Sequence, residues 1–246
     1  MTMHRPAAPC AHVDITLVMA AGISMEKAWR RLAEKESDAL LMDHFGMLAE
    51  AEAGRDVLLA LRLRLIACRD ATMDMQPFDV SPFYTLPQEM PAMRQFARSV
   101  RLTHGLRRSS VLEGVTRAMH GCWTQATRRW HIVAVVTDGG AYLPEDPACR
   151  VDAGYRAAMD RLLPDGDMPG TMEALRARWN SGAGTIDRTR SSMYIAAPAI
   201  APWMGLTGWR NAVYRKKHTL MIQQCDPARL LAGMRRSPEE GGVQHE

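Results

Sequence analysis

The sequence predicts an α/β fold: a three-layer, doubly wound, mainly parallel sheet with one antiparallel edge strand. Three observations lead there. Short apolar runs recur without interruption, as in Ile132–Val136 of "HIVAVVTDGG" and in "SMYIAA" at Ser192–Ala197. Such runs read as strands buried on both faces. Stretches with apolar residues at helical spacing lie between them, so strand and helix alternate. Finally, "LRLRL" at Leu61–Leu65 has period two, which marks a strand wet on one face and therefore near a sheet edge.

The elements follow in order. Residues 1–12 read as a flexible tail, 13–225 as the domain proper, and 226–246 as a C-terminal helix with a disordered end. Val13–Ala20, "VDITLVMA", is the first strand. Trp29, Leu32, Leu40, Leu41, Phe45 and Leu48 then fit one helix face, or two helices broken near Ser37, with Gly54 as the stop. Leu61–Leu65 is the period-two strand, with Arg62 and Arg64 outward, and its antiparallel partner is expected near 71–77. Pro87–Val100 is a helix with Met90, Met93 and either Phe96 or Ala97 inward. Ser110 with Glu113 has the spacing of a capping box for the next helix. The central strand at 132–136 follows, and then a long connection and a helix near 152–163. Asp167-Met168-Pro169 reads as another helix start. Ser192–Ala197 and Ala212–Tyr214 are the last strands.

Composition excludes several classes. Of 246 residues 47% are hydrophobic, enough for a sizeable core, and 24% are charged. The net charge of +4 is too mild to imply a nucleic-acid partner. Five Cys form no CxxC and leave one over in any disulfide scheme, which favours a reducing, cytoplasmic setting. No apolar run is long enough to span a membrane. The short run Ile15–Ala21, abutted by Asp14, does not read as a signal peptide. Eight His sit at no ligand spacing, so zinc is not expected. "GISM" half-matches a nucleophile elbow at Ser24, but Glu26 replaces the second glycine. Asp138 and His218 would be its nominal partners, with nothing around them in support, and no enzyme is predicted.

Strand ends in α/β sheets are where ligands bind, so Asp138 at the end of the central strand needs a role. The ordering of parts here resembles a von Willebrand factor A (VWA) domain. The first strand ends in "VMAAGISM" where that family has Asp-x-Ser-x-Ser, and the later strand ends in "VVTDGG", close to the family's strand-Thr-Asp-Gly. "RLIACRD", "PFDVSPF", "SSVLEGV" and the stretch from "MPGTMEALRARW" to "GWRNAVY" resemble a bacterial, tellurite-resistance-associated branch. The likeness runs over about residues 13–216.

The resemblance implies a site where hydroxyls and carboxylates from three loops hold Mg²⁺, an oxygen-ligated octahedral ion. Carried over by position, the first carboxylate becomes Ala20 and the first hydroxyl Gly22, while Ser24 and Asp138 survive. The middle-loop hydroxyl falls on Arg107 without a gap, or on Ser110 with a slip of three. Ser24 and Asp138 alone make a degenerate metal site, so no cofactor is expected and Mg²⁺ would bind weakly. An Arg107 guanidinium reaching Asp138 would replace the ion with a fixed cation.

The predicted function is therefore a non-catalytic protein–protein docking module, with a protein partner to be sought among neighbouring genes. The contact rim would comprise Gly22, Ser24, Arg107, Ser110, Asp138 and Tyr142, with Tyr142 as an aromatic anchor. Two alternatives are carried forward: a Mg²⁺-dependent binder using Ser24, Ser110 and Asp138, and an anion or nucleic-acid binder using Arg94, Arg98, Arg101, Arg107 and Arg108. A solvated helix face is the plainer reading of that arginine stripe. Ser24 has a plain reading as a helix cap, Trp203 and Trp209 as packing, and the 18 Met as core filler.

Overall fold

The computed structural model describes residues 10–54, 58–104, 108–147, 149, 152–163, 168–182, 185–232 and 234. At its centre is β1 (Cys10–Ala20), which is fully buried from Val13 to Ala21. It pairs in parallel with β2 (Leu58–Cys68) on one side and with β6 (Arg129–Val136) on the other. Outward from β6 lie β8 (Ser191–Ala197) and β9 (Ala212–Lys216), also parallel. Outward from β2 lie two short antiparallel strands, β3 (Phe78–Val80) and β4 (Tyr84–Leu86), which complete a seven-stranded sheet. A separate two-residue pair joins β5 (Arg108–Ser109) to β7 (Gly140–Ala141).

Eight helices among the described residues cover this sheet: α1 (Glu26–Ala33), α2 (Asp38–Ala53), α3 (Met90–Ser99), α4 (Val111–Met119), α5 (Ala153–Leu162), α6 (Met172–Ser181), α7 (Thr219–Gln224) and α8 (Pro227–Ala232). Side chains alternate across a strand. Thr16 and Val18 point to the α4 face, while Ile15 and Leu17 point to the other, where α1, α2, α3, α7 and α8 pack on one another. The expected break near Ser37 is a 3-10 turn at Lys35–Ser37, and α2 stops at Gly54, whose φ of 91° no β-carbon residue adopts easily.

The doubly wound architecture matches the expectation, but several elements differ. β1 starts at Cys10, inside the stretch expected as tail, because Cys10–His12 already pair with Leu58–Ala60. Residues 71–77 do not form a strand. Asp70 accepts from the Thr72 N–H and Asp74 from the Gln76 N–H, and these local bonds fold the chain into turns before β3 begins. α6 starts at Met172, where the Thr171 hydroxyl accepts from the Ala174 N–H at 3.1 Å; the expected start at Asp167 lies outside the described residues. The ends expected to be disordered, before Cys10 and from Ser237 onward, also lie outside them.

Arg62 and Arg64 share a face of β2, as the period requires, but that face is not wet. Arg64 is 4% exposed and donates to Thr16 Oγ1 and to the Ala118 carbonyl. Its guanidinium sits 4.7 Å from the Phe83 ring centroid and 5.5 Å from that of Trp123. Arg62 forks onto the buried Asp14 at 2.8 and 2.5 Å. Asp14 also accepts from the Thr124 N–H, which ties the lead-in of β6 to β1.

The capping box at Ser110 and Glu113 does not form either. Glu113 is drawn under α5 instead, where the Tyr155 hydroxyl donates to its Oε1 at 2.7 Å. Its Oε2 has no hydrogen-bond partner among the described residues. Burial raises the Glu113 carboxyl from 4.5 to about 7, with the Tyr155 bond opposing the rise.

Two predictions follow from this packing. A β-carbon at Gly114 would stand 2.5 Å from Cys68 Sγ and 2.7 Å from Val18 Cγ1, whereas one at Gly46 meets nothing within 4 Å. Gly114→Ala should lower the urea-unfolding free energy by about 1–3 kcal/mol. Gly46→Ala in mid-helix should raise it by about 0.5–1 kcal/mol. Second, the native Glu113 binds its proton more tightly than the unfolded chain does. Its stabilisation is complete below pH 4.5 and is lost as pH rises through about 7. Across that window the wild type should lose about 3 kcal/mol relative to Glu113→Gln, measured by urea titration at each pH.

Candidate functional site at the strand ends

β1 and β6 are neighbours in the sheet, and their connections run in opposite directions, β1 on to β2 and β6 on to β8. Such a switch point opens a crevice at the carboxyl ends of the strands. The loop after β1 is fixed by backbone bonds on both flanks. The Ala21 N–H donates to the Cys68 carbonyl, the Thr103 N–H to the Ala21 carbonyl, and the Ile23 N–H to the Thr103 carbonyl, at 2.8, 3.0 and 2.9 Å. Gly22 bridges Thr103 directly. Ser24 stands in the following 3-10 turn with an exposed side chain. It does not cap α1, whose N-cap position is Met25 and has no side-chain bond.

Asp138 is half-buried at the end of β6 and accepts from Gln223 Nε2 on α7 at 2.7 Å. α7 itself packs against the turn that holds Ser24, so it closes the crevice between the two loops. Trp203 is fully buried and donates to the Gly139 carbonyl at 2.8 Å, which fixes the loop after Asp138 from below. Trp209 is 5% exposed; both tryptophans are packing residues. Ser110 is fully buried, accepting from the Ala71 N–H at 3.0 Å while its own N–H donates to the Arg69 carbonyl. Arg107, and with it the expected contact to Asp138, lies outside the described residues.

Tyr142 is half-buried. Its hydroxyl donates to Asp70 Oδ2 at 2.8 Å and lies 3.3 Å from Thr72 Oγ1, and the Arg108 guanidinium stacks 5.6 Å from its ring centroid. Arg108 also pairs with Asp146 at 2.9 Å. Burial raises the Tyr142 phenol above its usual range, so it keeps its proton to donate. Asp70, which the sequence reading passed over, thus joins the β2 exit to the Tyr142 loop. The Asp-x-Thr spacing of "DAT" is the signal that could have found it. Nothing local to Gln223 could have done the same.

Asp138 Oδ2, Asp70, Ser110 Oγ and the Tyr142 hydroxyl thus have partners within the chain, whereas the buried Thr103 Oγ1 beside Gly22 has none among the described residues. Of the positions that the family resemblance carries over to a metal site, Asp138 holds a carboxylate, Ser24 an exposed hydroxyl and Ala20 a buried methyl. No cluster of three or more His, Cys, Asp or Glu that could hold a metal occurs among the described residues. No hydrogen bond joins Ser24, Asp138 and His218. The arginine stripe is divided among separate contacts: Arg94 is buried on Asp38, Arg98 donates to the Ala33 carbonyl, and Arg101 forks onto Asp74. No helix among the described residues is long and apolar enough to cross a membrane.

No protein-family model matches the chain, and no curated protein matches it. Solved structures do. The pilus adhesin SpaC of Lactobacillus rhamnosus GG superposes with a TM-score of 0.50 at 11% identity, over 87% of this chain and 29% of that one. A von Willebrand factor type A protein from Catenulispora acidiphila gives 0.44 at 11% identity, over 92% of this chain and 41% of that one. The von Willebrand factor domain of the pilus tip protein Mfa5 from Porphyromonas gingivalis gives 0.39 at 12% identity, over 96% and 98%. The chain thus spans well under half the length of the first two. At these identities the likeness is one of fold, and the sheet order with its flanking helices is that of a VWA-like, Rossmann-related α/β fold.

Proposed function

We propose that the chain is a non-catalytic protein-docking module, and that its strand-end face binds a protein partner without a divalent cation. The observation that carries this reading is the bond from the Gln223 amide to Asp138. The carboxylate that would anchor a metal is already engaged by a neutral donor from α7, and Ala20 leaves it without a second carboxylate. Two neutral or singly charged oxygens are a poor cage for a hard cation, which dehydrates reluctantly and demands near-octahedral geometry. The rim open to a partner is exposed Ser24 with half-buried Asp138 and Tyr142; Gly22 and Ser110, expected in it, are buried and hold the loops from beneath, and Arg107 remains a proposed member outside the described residues. Tyr142 acts there as a brace through Asp70, and exposed Ile23, Leu220 and Met221 supply apolar surface around it.

A VWA-like fold shared with a pilus adhesin agrees with a binding role. The tellurite-resistance-associated branch rests on the sequence motifs alone. The five free cysteines favour a reducing compartment.

The test uses a photo-crosslinking amino acid placed at Ser24 and, as a control, at exposed Gln125 beyond the other end of β6, in the native host. Cross-links to one discrete protein from Ser24, none from Gln125, and no change with EDTA are expected. Equal cross-linking from both positions would overturn the docking face, and loss of the Ser24 product with EDTA would overturn the metal-free reading.

A further inference from the structure

β3 is an edge of the sheet, and half of its backbone turns outward. The Arg69 N–H donates to the Pro77 carbonyl at 2.7 Å, and the Ser81 N–H donates to the Leu65 carbonyl at 2.9 Å. Antiparallel ladders alternate, so residues 77, 79 and 81 face β2, and the N–H and C=O groups of Phe78 and Val80 face away from it. No described residue pairs with those four groups. Beside them lies an open cleft of about 410 Å³, floored by Phe78, Val80, Ala158 and Leu162. Arg117 and Arg161 line it as well. Arg117 donates to the His120 carbonyl, and Arg161 to the carbonyls of Ala157 and Met75. Neither has a carboxylate partner among the described residues.

The rim of the cleft is built rather than loose. Arg69 is 1% exposed and holds the 70–77 turn through the Gln76 carbonyl and Asp79. Arg101 holds the same turn through Asp74. This braced turn presents Met75 to solvent at 86% exposure. An apolar floor, two guanidinium groups with no carboxylate partner among the described residues, and a free strand edge thus meet at one place.

We propose that β3 and this cleft bind an extended segment of a partner protein by strand addition. The partner's backbone pairs with Phe78 and Val80, one apolar side chain enters the cleft, and carboxylates of the same segment meet Arg117 and Arg161. Strand addition supplies main-chain bonds for affinity and pockets for alternate side chains. Two guanidinium groups with no carboxylate of their own among the described residues commit the occupant to an acidic segment. A second copy of this chain pairing edge to edge would bring the two arginines of one copy toward those of the other, and such a like-charge meeting disfavours that occupant. This surface is separate from the Ser24–Asp138 rim, so the two proposals fail independently.

The probe is a fluorescein-labelled seven-residue peptide of alternating Val and Glu, read by fluorescence anisotropy with the full chain. Saturable binding is expected, weakened at least about tenfold, or 1.4 kcal/mol, when Lys replaces Glu. N-methylation of alternate peptide amides should abolish it. Arg117→Glu with Arg161→Glu should reverse the preference, so that the Lys peptide binds better, a readout that a misfolded variant cannot give. No saturable binding at millimolar peptide, indifference to N-methylation, or an unreversed charge preference would each overturn the proposal. So would a sedimenting dimer that Val80→Pro dissolves, since the occupant would then be a second copy.

Discussion

The structure depends on one constraint: β1 is buried on both faces and both edges, so its chain can reach solvent only where it ends. Val13 to Ala21 are excluded from water; the backbone to Met19 pairs with β2 and β6, the Ala20 carbonyl accepts from the Trp29 indole, and the Ala21 carbonyl accepts from the Thr103 N–H. An unpaired peptide group at that depth would cost several kcal/mol. The exit at Ala21–Gly22 is therefore pinned on one flank by Cys68 and on the other by Thr103. Whatever the protein does at this end of the sheet, it does with loops held at these fixed points.

The same economy governs the oxygens nearby. Asp138, Asp70 and Ser110 lie near the carboxyl ends of the strands, and each is bonded to a group of its own chain: a glutamine amide from α7, a tyrosine hydroxyl, a backbone N–H. In the reading proposed above, these bonds do the work of an ion: they hold the strand-end loops in one arrangement. The difference is one of response. A metal-held rim answers to cation concentration, whereas a rim held by neutral donors is permanent at any ionic composition.

How much of this was legible in the sequence depends on the range of the interaction involved. Buried strands such as Ile132–Val136 and Ser192–Ala197 are legible because burial on both faces demands an unbroken apolar run. The period of "LRLRL" gave the alternation of β2 correctly, but a period names a face without naming its cover. Arg64 is roofed by Phe83 and Trp123, which lie elsewhere in the chain. Residues 71–77 were misread for a local reason, since Asp70 and Asp74 bond their own backbone and compete with strand pairing. The Ser110–Glu113 spacing failed for a distant one, because Tyr155, 42 residues away, takes the carboxylate. The Gln223–Asp138 bond spans 85 residues and leaves no pattern at either end.

The central claim is that Asp138, held by the Gln223 amide and with no second carboxylate at Ala20, offers no seat for a divalent ion. Amide spectra of the ¹⁵N-labelled protein titrated with Mn²⁺ test it directly, because a bound paramagnetic ion erases signals around its seat. The account predicts that the amides of Ala20–Ser24 and Thr137–Gly140 keep their intensity relative to the rest of the chain at stoichiometric Mn²⁺. Selective loss of those signals, reversed by Mg²⁺, would contradict it.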